Sequence, residues 1–133
     1  MNSFYSVSGA MGTLDAELHA MAAARQPIMI KGEPGTGKEQ IARYRANWAI
    51  LSVDGVNPGT GVTTYHAEES VIDRIMMERA AQAIIVADST KVGRESFSRI
   101  SALTSGTVLI SDHAADPILV ERIAKEGVEV QLV

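Results

Sequence analysis

The chain is predicted to be organised around the stretch Ile28-Met29-Ile30-Lys31-Gly32-Glu33-Pro34-Gly35-Thr36-Gly37-Lys38-Glu39-Gln40-Ile41-Ala42-Arg43. Its order of apolar residues, glycines and helix-forming residues predicts a buried strand, a loop and a helix. The glycines and lysine of the loop have the spacing G-x-x-x-x-G-K, in which backbone N–H groups and a helix N-terminus surround a phosphate. The predicted phosphate-binding residues are Gly32, Glu33, Pro34, Gly35, Thr36, Gly37, Lys38 and Glu39. Glu39 occupies the position at which a Ser or Thr would bind magnesium.

Strands and helices are predicted to alternate along the whole chain. Unbroken or alternating apolar runs predict strands at 49–53, 83–87, 97–100, 106–110 and 128–133. Helical spacing of apolar residues predicts helices at 13–25, 37–46 and 66–82, and a last helix from Asp116, with Gly127 at its end. Residues 56–65, rich in Gly, Pro and Thr, are predicted to be a long loop. The pattern predicts one α/β domain over 1–133, a three-layer α/β/α sandwich around a mostly parallel, Rossmann-like sheet.

The net charge and the residue types present exclude several classes of function. The chain has 133 residues, of which 46% are hydrophobic and 21% charged, with a net charge of -4 and no cysteine. The negative charge argues against nonspecific nucleic-acid or membrane binding, and the absence of cysteine excludes thiol catalysis. His66 and His113 lack partners at metal-ligand spacing, so no metal site is expected. Without a signal-like N-terminus or a run long enough to span a bilayer, the chain is expected to be cytoplasmic.

Polar clusters follow the predicted strands at their carboxyl ends, where open α/β sheets bind ligands. They are 32–38, Asp54-Gly55 with the threonine-rich loop 56–65, Asp88-Ser89-Thr90-Lys91 and Ser111-Asp112-His113. Lysines, hydroxyls and carboxylates together would suit an anionic, hydroxylated ligand such as a sugar phosphate or a nucleotide. The alternative is that each aspartate caps a turn after its strand and that Lys91 only pairs with Asp88.

Nucleotide hydrolysis needs more than a phosphate loop. It also needs a metal-binding carboxylate after a second strand, a positioned water and usually an arginine finger. Asp54 and Asp88 each follow an apolar strand, but neither is followed by a second acidic residue. We therefore predict no catalytic residues and no required cofactor, with phosphate, sulfate or ATP as candidate occupants of the loop.

Two resemblances extend these predictions. Residues 4–43 resemble the start of the AAA+ domain of bacterial enhancer-binding transcription activators, whose own phosphate loop reads Gly-Glu-x-Gly-Thr-Gly-Lys-Glu, as 32–39 does here. Residues 46–133 resemble the effector-sensing domain of DeoR-type transcriptional repressors. The matching segments are Ile50-Leu51-Ser52-Val53-Asp54-Gly55-Val56, Gly61-Val62-Thr63-Thr64, Glu69, Ala87-Asp88-Ser89-Thr90-Lys91-Val92-Gly93-Arg94, Ile110-Ser111-Asp112 and Gly127-Val128-Glu129-Val130.

The second resemblance implies a fold similar to that of sugar-phosphate isomerases and binding of phosphorylated sugars without turnover. By position, Asp54, Gly55, Asp88 and Lys91 would line the inducer pocket. Asn47 stands where the family often has an aspartate, which argues against isomerase activity. The repressors' DNA-binding segment and first sensing strand are not found, so neither nucleic acid nor a membrane is an expected partner, while a phosphate-bearing small molecule and a homo-oligomer remain open.

Taken together, the resemblances suggest a chimera with a P-loop-type fragment at 1–45 and a sensor-type fragment at 46–133, joined near residues 43–48. The first interpretation is an engineered, non-enzymatic α/β domain that retains phosphate, nucleotide or phosphosugar binding. A natural fusion or gene remnant is the second interpretation of the junction. The alternative functions are a natural DeoR-like sensing domain of a transcriptional regulator and a minimal P-loop nucleotide-binding or ATPase module.

Overall fold

The computed structural model describes residues 45–133 in full and, of the preceding part, the backbone of residues 28–30. The predicted helices at 13–25 and 37–46 and the glycine loop therefore lie outside the described residues, apart from the end of the second helix. The elements in chain order are β1 (Ile28–Ile30), β2 (Ala46–Ser52), β3 (Gly55–Asn57), β4 (Gly61–Thr64), α1 (Ala67–Arg79), β5 (Ala80–Val86), β6 (Ser98–Ser101), β7 (Val108–Ser111), α2 (Pro117–Lys125) and β8 (Glu129–Leu132).

The main sheet has five strands in the order β1-β2-β5-β7-β8, and all four pairings are parallel. This confirms the predicted α/β fold with a mostly parallel sheet. The strands follow one another across the sheet in the same order as along the chain. Because parallel crossovers are right-handed, connections that step in one direction place their helices on the same face. Both described helices do contribute side chains to one and the same core cluster.

Both faces of the main sheet are buried. On the helical face, Leu51 of β2 and Leu109 of β7 pack with Met76 of α1 and Ile123 of α2. The opposite face has a smaller cluster formed by Ile50, Ile84, Val108 and Ile110, with half-buried Trp48 beside it. Since successive side chains of a strand point to opposite faces, strands covered on both sides read as unbroken apolar runs. This is why the sequence identified these strands.

A second, antiparallel sheet lies where the sequence predicted a long loop, so that prediction at 56–65 is wrong. Its three strands are ordered β3-β4-β6. Val56 and Val62 pair across the hairpin and are both fully buried. Strands of three and four residues are too short to show alternation, and the glycines in the hairpin turn resemble those of an irregular loop. The predicted strand at 97–100 is confirmed as β6.

Two predicted helix ends are also wrong. The helix predicted at 66–82 ends at Arg79, and β5 begins at the next residue, Ala80, without a loop. Ala46, predicted as the end of a helix, is instead the first residue of β2. Ala46 pairs with Ala80, and Trp48 pairs with Gln82. Alanine and glutamine favour helices when isolated, but the parallel ladder with β2 outweighs that weak preference.

Side-chain hydrogen bonds attach the second sheet to α1. The Arg74 guanidinium donates through Nε to the carbonyl of Ile100 at 3.1 Å and through Nη2 to the carbonyl of Arg99 at 2.9 Å. The hydroxyls of Ser98 and Ser70 lie 2.9 Å apart. The second sheet therefore cannot shift without breaking contacts to α1.

Within the described residues, no helix has the length and apolar character needed to cross a membrane.

The last helix begins and ends as predicted. The carboxylate of Asp116 accepts a hydrogen bond from the backbone N–H of Ile118 at 2.9 Å, and Pro117 occupies the first helical turn. Gly127, just beyond the end of α2, has a φ of 92°. That left-handed conformation is the common way to end a helix. The predicted edge strand then follows as β8, paired with β7.

We predict that Gly61→Ala destabilises the domain more than Gly59→Ala. Both glycines lie in the β3–β4 hairpin with φ near 98° and 93°, so both alanines carry the same conformational cost. Only at Gly61 would the added methyl group overlap the backbone carbonyl of Ser101, on strand β6. Overpacking of this kind costs about 1 to 3 kcal/mol, which should appear as the difference between the two variants in urea unfolding. Equal losses would show that β6 is not packed against the hairpin.

Candidate functional site

The carboxyl ends of three adjacent strands form one rim of the main sheet. Asp54 follows β2, Asp88 follows β5 and Asp112 follows β7, and β5 lies between the other two strands. The structure therefore brings together three of the predicted polar clusters. The predicted phosphate loop 32–39 lies outside the described residues.

Asp54 is bound to the second sheet through the end of β4. Its Oδ2 accepts hydrogen bonds from the hydroxyl of Thr64 and the backbone N–H of Tyr65, both at 2.9 Å. The Thr64 hydroxyl also lies 3.0 Å from Oε2 of Glu69, and Thr64 is fully buried. Two carboxylates thus meet at one hydroxyl. The threonine-rich loop was predicted to lie at this rim with Asp54, and Glu69 was noted only as part of a motif. The hairpin of β3 and β4, which was not predicted, brings Thr64 and Glu69 to Asp54.

Asp88 begins a tight turn that presents Lys91. Its Oδ1 accepts the backbone N–H of Thr90 at 2.8 Å and also contacts the Thr90 hydroxyl. The backbone N–H of Lys91 donates to the carbonyl of Asp88 at 2.9 Å, and the Lys91 carbonyl accepts from the N–H of Val56 at 3.0 Å. The turn is therefore fixed at both ends. The predicted alternative of a simple ion pair between Lys91 and Asp88 is wrong, because their side chains do not pair.

Asp112 braces that turn from the neighbouring strand. Its Oδ2 accepts the backbone N–H of Ser89 at 2.7 Å, and its Oδ1 accepts the N–H of Ala114 at 2.9 Å. The N–H of Ser89, followed by that of Ala114 and by the Ser89 hydroxyl, lowers the pKa of the Asp112 carboxyl below its ordinary value. Both oxygens are engaged by the main chain, so Asp112 acts as a positioning residue. Next to it, Ser111 is buried and His113 is exposed.

Gly55 lies where two main-chain segments approach closely. A methyl group on its Cα would overlap the carbonyl oxygen of Arg94 and would fall 2.5 Å from the hydroxyl oxygen of Thr63. A side chain at this position would push β3 away from the segment that follows the Asp88 turn. Close packing thus requires a glycine at position 55, in addition to its predicted place in the ligand pocket.

Asn47 lies at the opposite end of the sheet from the rim. It is exposed and is the second residue of β2. It stands seven residues before Asp54, which corresponds to about 23 Å along a strand. Asn47 therefore does not lie at the rim. An asparagine in place of the family's aspartate at this position does not bear on isomerase activity. Among residues 45–133, no group of three or more His, Asp and Glu side chains is arranged to hold a metal ion.

Comparison with known proteins places the chain in a family. The model of the DeoR C-terminal sensor domain matches residues 33–113. The chain belongs to this family. Similar proteins include a putative aga operon transcriptional repressor of Escherichia coli O157:H7, with 31% identity over 72% of this chain and 36% of the relative. The HTH-type transcriptional repressor GlcR of Bacillus subtilis is 29% identical over 69% of this chain and 35% of that protein.

A third relative is similar as well. The HTH-type transcriptional regulator GlpR of Haloferax volcanii is 30% identical over 71% of this chain and 37% of its own length. The chain thus spans about a third of the length of the curated relatives it matches. The family match confirms the predicted resemblance to a DeoR sensing domain. It begins at Glu33 and crosses the junction predicted near residues 43–48, and neither it nor these relatives supports an AAA+ fragment.

We predict that Asp112→Asn lowers stability at neutral pH and that the loss shrinks in acid. An asparagine can accept only one of the two N–H bonds and turns a donor towards the other. The folded protein holds the Asp112 pKa below its unfolded value, so the carboxylate contributes stability above the ordinary pKa. That contribution disappears as pH falls through the lowered folded value.

Urea unfolding of wild type and Asp112→Asn at pH 7 and below about pH 4 measures this effect. Glu78→Gln is the matched control, because Glu78 is an exposed acid of α1 that makes no hydrogen bond or ion pair with the described residues. A difference between wild type and Asp112→Asn that stays constant with pH would contradict the bracing role of the carboxylate.

Proposed function

We propose that this chain is the effector-sensing domain of a DeoR-type transcriptional regulator and that it binds a phosphorylated sugar at the carboxyl ends of β2, β5 and β7. One observation carries the proposal. The turn from Asp88 to Lys91 is held by Asp112 on one side and by β3 on the other, while its charged groups remain available. Oδ2 of Asp88 and the ammonium of Lys91 make no hydrogen bond or ion pair with another residue of the described part.

The rim has groups that complement both the phosphate and the sugar hydroxyls of such a ligand. The Lys91 ammonium provides a positive point charge for a phosphate, and a rigid turn holds it without further loss of main-chain freedom on binding. Carboxylates accept hydrogen bonds from sugar hydroxyls, and Asp88 is an exposed residue whose Oδ2 makes no hydrogen bond within residues 45–133. Asp54 follows β2, the strand next to β5, and with Thr64 and Glu69 would contact the remaining hydroxyls.

The phosphate is best accommodated away from Asp112, whose two oxygens carry negative charge and are already bound to N–H groups. The predicted loop 32–39 follows β1 in sequence, and β1 pairs with β2 in parallel, so the described end of β1 lies at the same edge of the sheet as the rim. We propose it as a second source of N–H donors to the phosphate. Phosphate, sulfate and ATP remain its predicted occupants, and no cofactor is required.

We propose binding without turnover. The relatives named above are transcriptional regulators rather than enzymes. At the rim, Asp54 and Asp112 accept hydrogen bonds from main-chain N–H groups, which favours fixed, ionised acceptors over proton-transferring acids. An acid that must gain and lose a proton during each cycle would break such bonds.

Two of the longer relatives are named as HTH-type regulators. The chain covers about a third of the length of the relatives it matches. We propose that the domain serves a regulator in which another segment binds DNA, and that it acts in the cytoplasm. The competing interpretation is a recombined protein joined near residues 43–48. The family match runs across that junction from Glu33, which favours the sensing domain.

We predict that Lys91→Ala weakens the binding of a sugar phosphate. Loss of one charge-assisted contact should cost about 1.5 to 3 kcal/mol, on the order of 10- to 100-fold in affinity. Isothermal calorimetry with glucose 6-phosphate, fructose 1-phosphate, unphosphorylated glucose, inorganic phosphate and ATP would measure it. Lys125→Ala is the matched control, because Lys125 is an exposed lysine of α2 paired with Glu121 at 3.4 Å.

Three outcomes would count against the proposal: no heat from any sugar phosphate at millimolar concentration, equal affinity for glucose and its phosphates, or an unchanged affinity in Lys91→Ala. ATP binding that is abolished by Lys38→Ala would instead support a nucleotide-binding module. A Lys125→Ala variant as weak as Lys91→Ala would show that only overall charge matters.

A further inference from the structure

A cavity opens at the amino ends of β2 and β5, at the end of the main sheet away from the rim. Its volume is about 460 Å³, and the residues that line it are Asn47, Trp48, Ala81, Gln82 and Gly106. Small-molecule sites in proteins commonly measure about 300 to 1,000 Å³. Trp48 stands six residues before Asp54, which corresponds to about 20 Å along a strand, so the cavity is separate from the candidate site.

The pairing of the main sheet brings the lining residues together. Trp48 of β2 pairs with Gln82 of β5 in the parallel ladder, so their side chains lie next to each other on one face of the sheet. Nε2 of Gln82 donates to the carbonyl of Gly106, two residues before β7, at 2.8 Å. A methyl group on the Cα of Gly106 would meet no atom within 4 Å. The cavity is therefore open beside Gly106 and spans the amino ends of three neighbouring strands.

The cavity presents one aromatic ring and two carboxamides. Trp48, the one tryptophan of the chain, is half-buried. The bond to Gly106 fixes the orientation of the Gln82 carboxamide, whose Oε1 makes no hydrogen bond with another residue of 45–133. The carboxamide of Asn47 is exposed and likewise makes no hydrogen bond within these residues. None of the five lining residues is charged. The group that fits here is therefore flat and uncharged, with both donors and acceptors at its edge.

We propose that this cavity binds the adenine ring of a nucleoside or nucleotide. Nucleobases stack on aromatic side chains, and a carboxamide matches the edge of adenine. The carboxamide oxygen accepts from the N6 amino group, and the N–H of the carboxamide donates to a ring nitrogen. Trp48 provides the stacking surface, and Gln82 provides an acceptor whose direction is already fixed. The proposal concerns the base alone, so it depends neither on a sugar phosphate at the rim nor on the loop 32–39.

Tryptophan fluorescence tests the proposal, because Trp48 is the one tryptophan of the chain. Adenosine is the probe, since it carries no phosphate. Titration of the whole chain, excited at wavelengths where adenine does not absorb, should give a saturable change with a dissociation constant of about 1 mM or below. Ribose should give no change. Inosine should bind about 3- to 10-fold more weakly, because it has a carbonyl oxygen in place of the amino group that donates to Gln82.

Variants separate the hydrogen bonds from the stacking. Gln82→Ala should weaken adenosine binding about 3- to 10-fold, through loss of the hydrogen bonds to the edge of the base. Gln131→Ala is the matched control, because Gln131 is a half-buried glutamine of another strand, β8. Trp48→Leu should cost at least about fivefold in affinity, the loss of one stacked base. Binding to Trp48→Leu is followed through the side-chain amide signals of Asn47 and Gln82 in NMR spectra.

NMR of the wild type locates the site independently of any variant. The indole N–H of Trp48 gives the one signal of its kind, and it should shift with adenosine at the same dissociation constant as the fluorescence. Circular dichroism establishes that each variant is folded.

An indole signal that does not move, or fluorescence without a saturable change up to about 5 mM adenosine, would overturn the proposal. So would equal binding of adenosine and inosine, or an affinity in Gln82→Ala equal to that of wild type. Binding weakened as much by Gln131→Ala as by Gln82→Ala would place the site elsewhere. All of these measurements are made without sugar phosphate, so a failure of binding at the rim leaves their meaning intact.

Discussion

The parallel pairing of β2 with β5 is the interaction on which the rest of the structure depends. The ladder runs from Ala46 with Ala80 to Ser52 with Val86 and is buried on both faces along its middle. It ends both strands at the same edge of the sheet, and this places Asp54 and Asp88 on one rim. It also holds the residues after Arg79 as a strand although their composition favours a helix.

The rim is organised by main-chain hydrogen bonds to carboxylates. Asp54, Asp88 and Asp112 each accept a backbone N–H, from Tyr65, Thr90 and Ser89 respectively. The same three acids therefore cap turns and shape the candidate pocket. Structural and ligand-binding roles are compatible here, because a carboxylate has more than one acceptor oxygen and a fixed carboxylate loses little freedom when a ligand arrives.

Much of the fold was predictable from sequence because its signals are local. Unbroken apolar runs predicted the parallel strands, and the pair Asp116-Pro117 predicted the start of α2. The rim acids were predicted because they follow those strands. The hairpin of β3 and β4 was missed, since it depends on pairing between short strands with no periodic signal. Its threonines were placed at the rim only as part of a loop, and the meeting of Thr64 and Glu69 with Asp54 was not predicted. The end of α1 was missed because a neighbouring strand determines it.

The direct passage from α1 into β5 limits how the sequence can change in length. No loop separates Arg79 from Ala80, and the Arg74 side chain binds α1 to β6 only a few residues earlier. One inserted residue at this point would either rotate the helix face that meets β6 or turn every side chain of β5 to the opposite face of the sheet. Related sequences should therefore vary in length at the hairpin turn around Gly59, where the surroundings are open, and keep a constant spacing between Arg74 and Asp88.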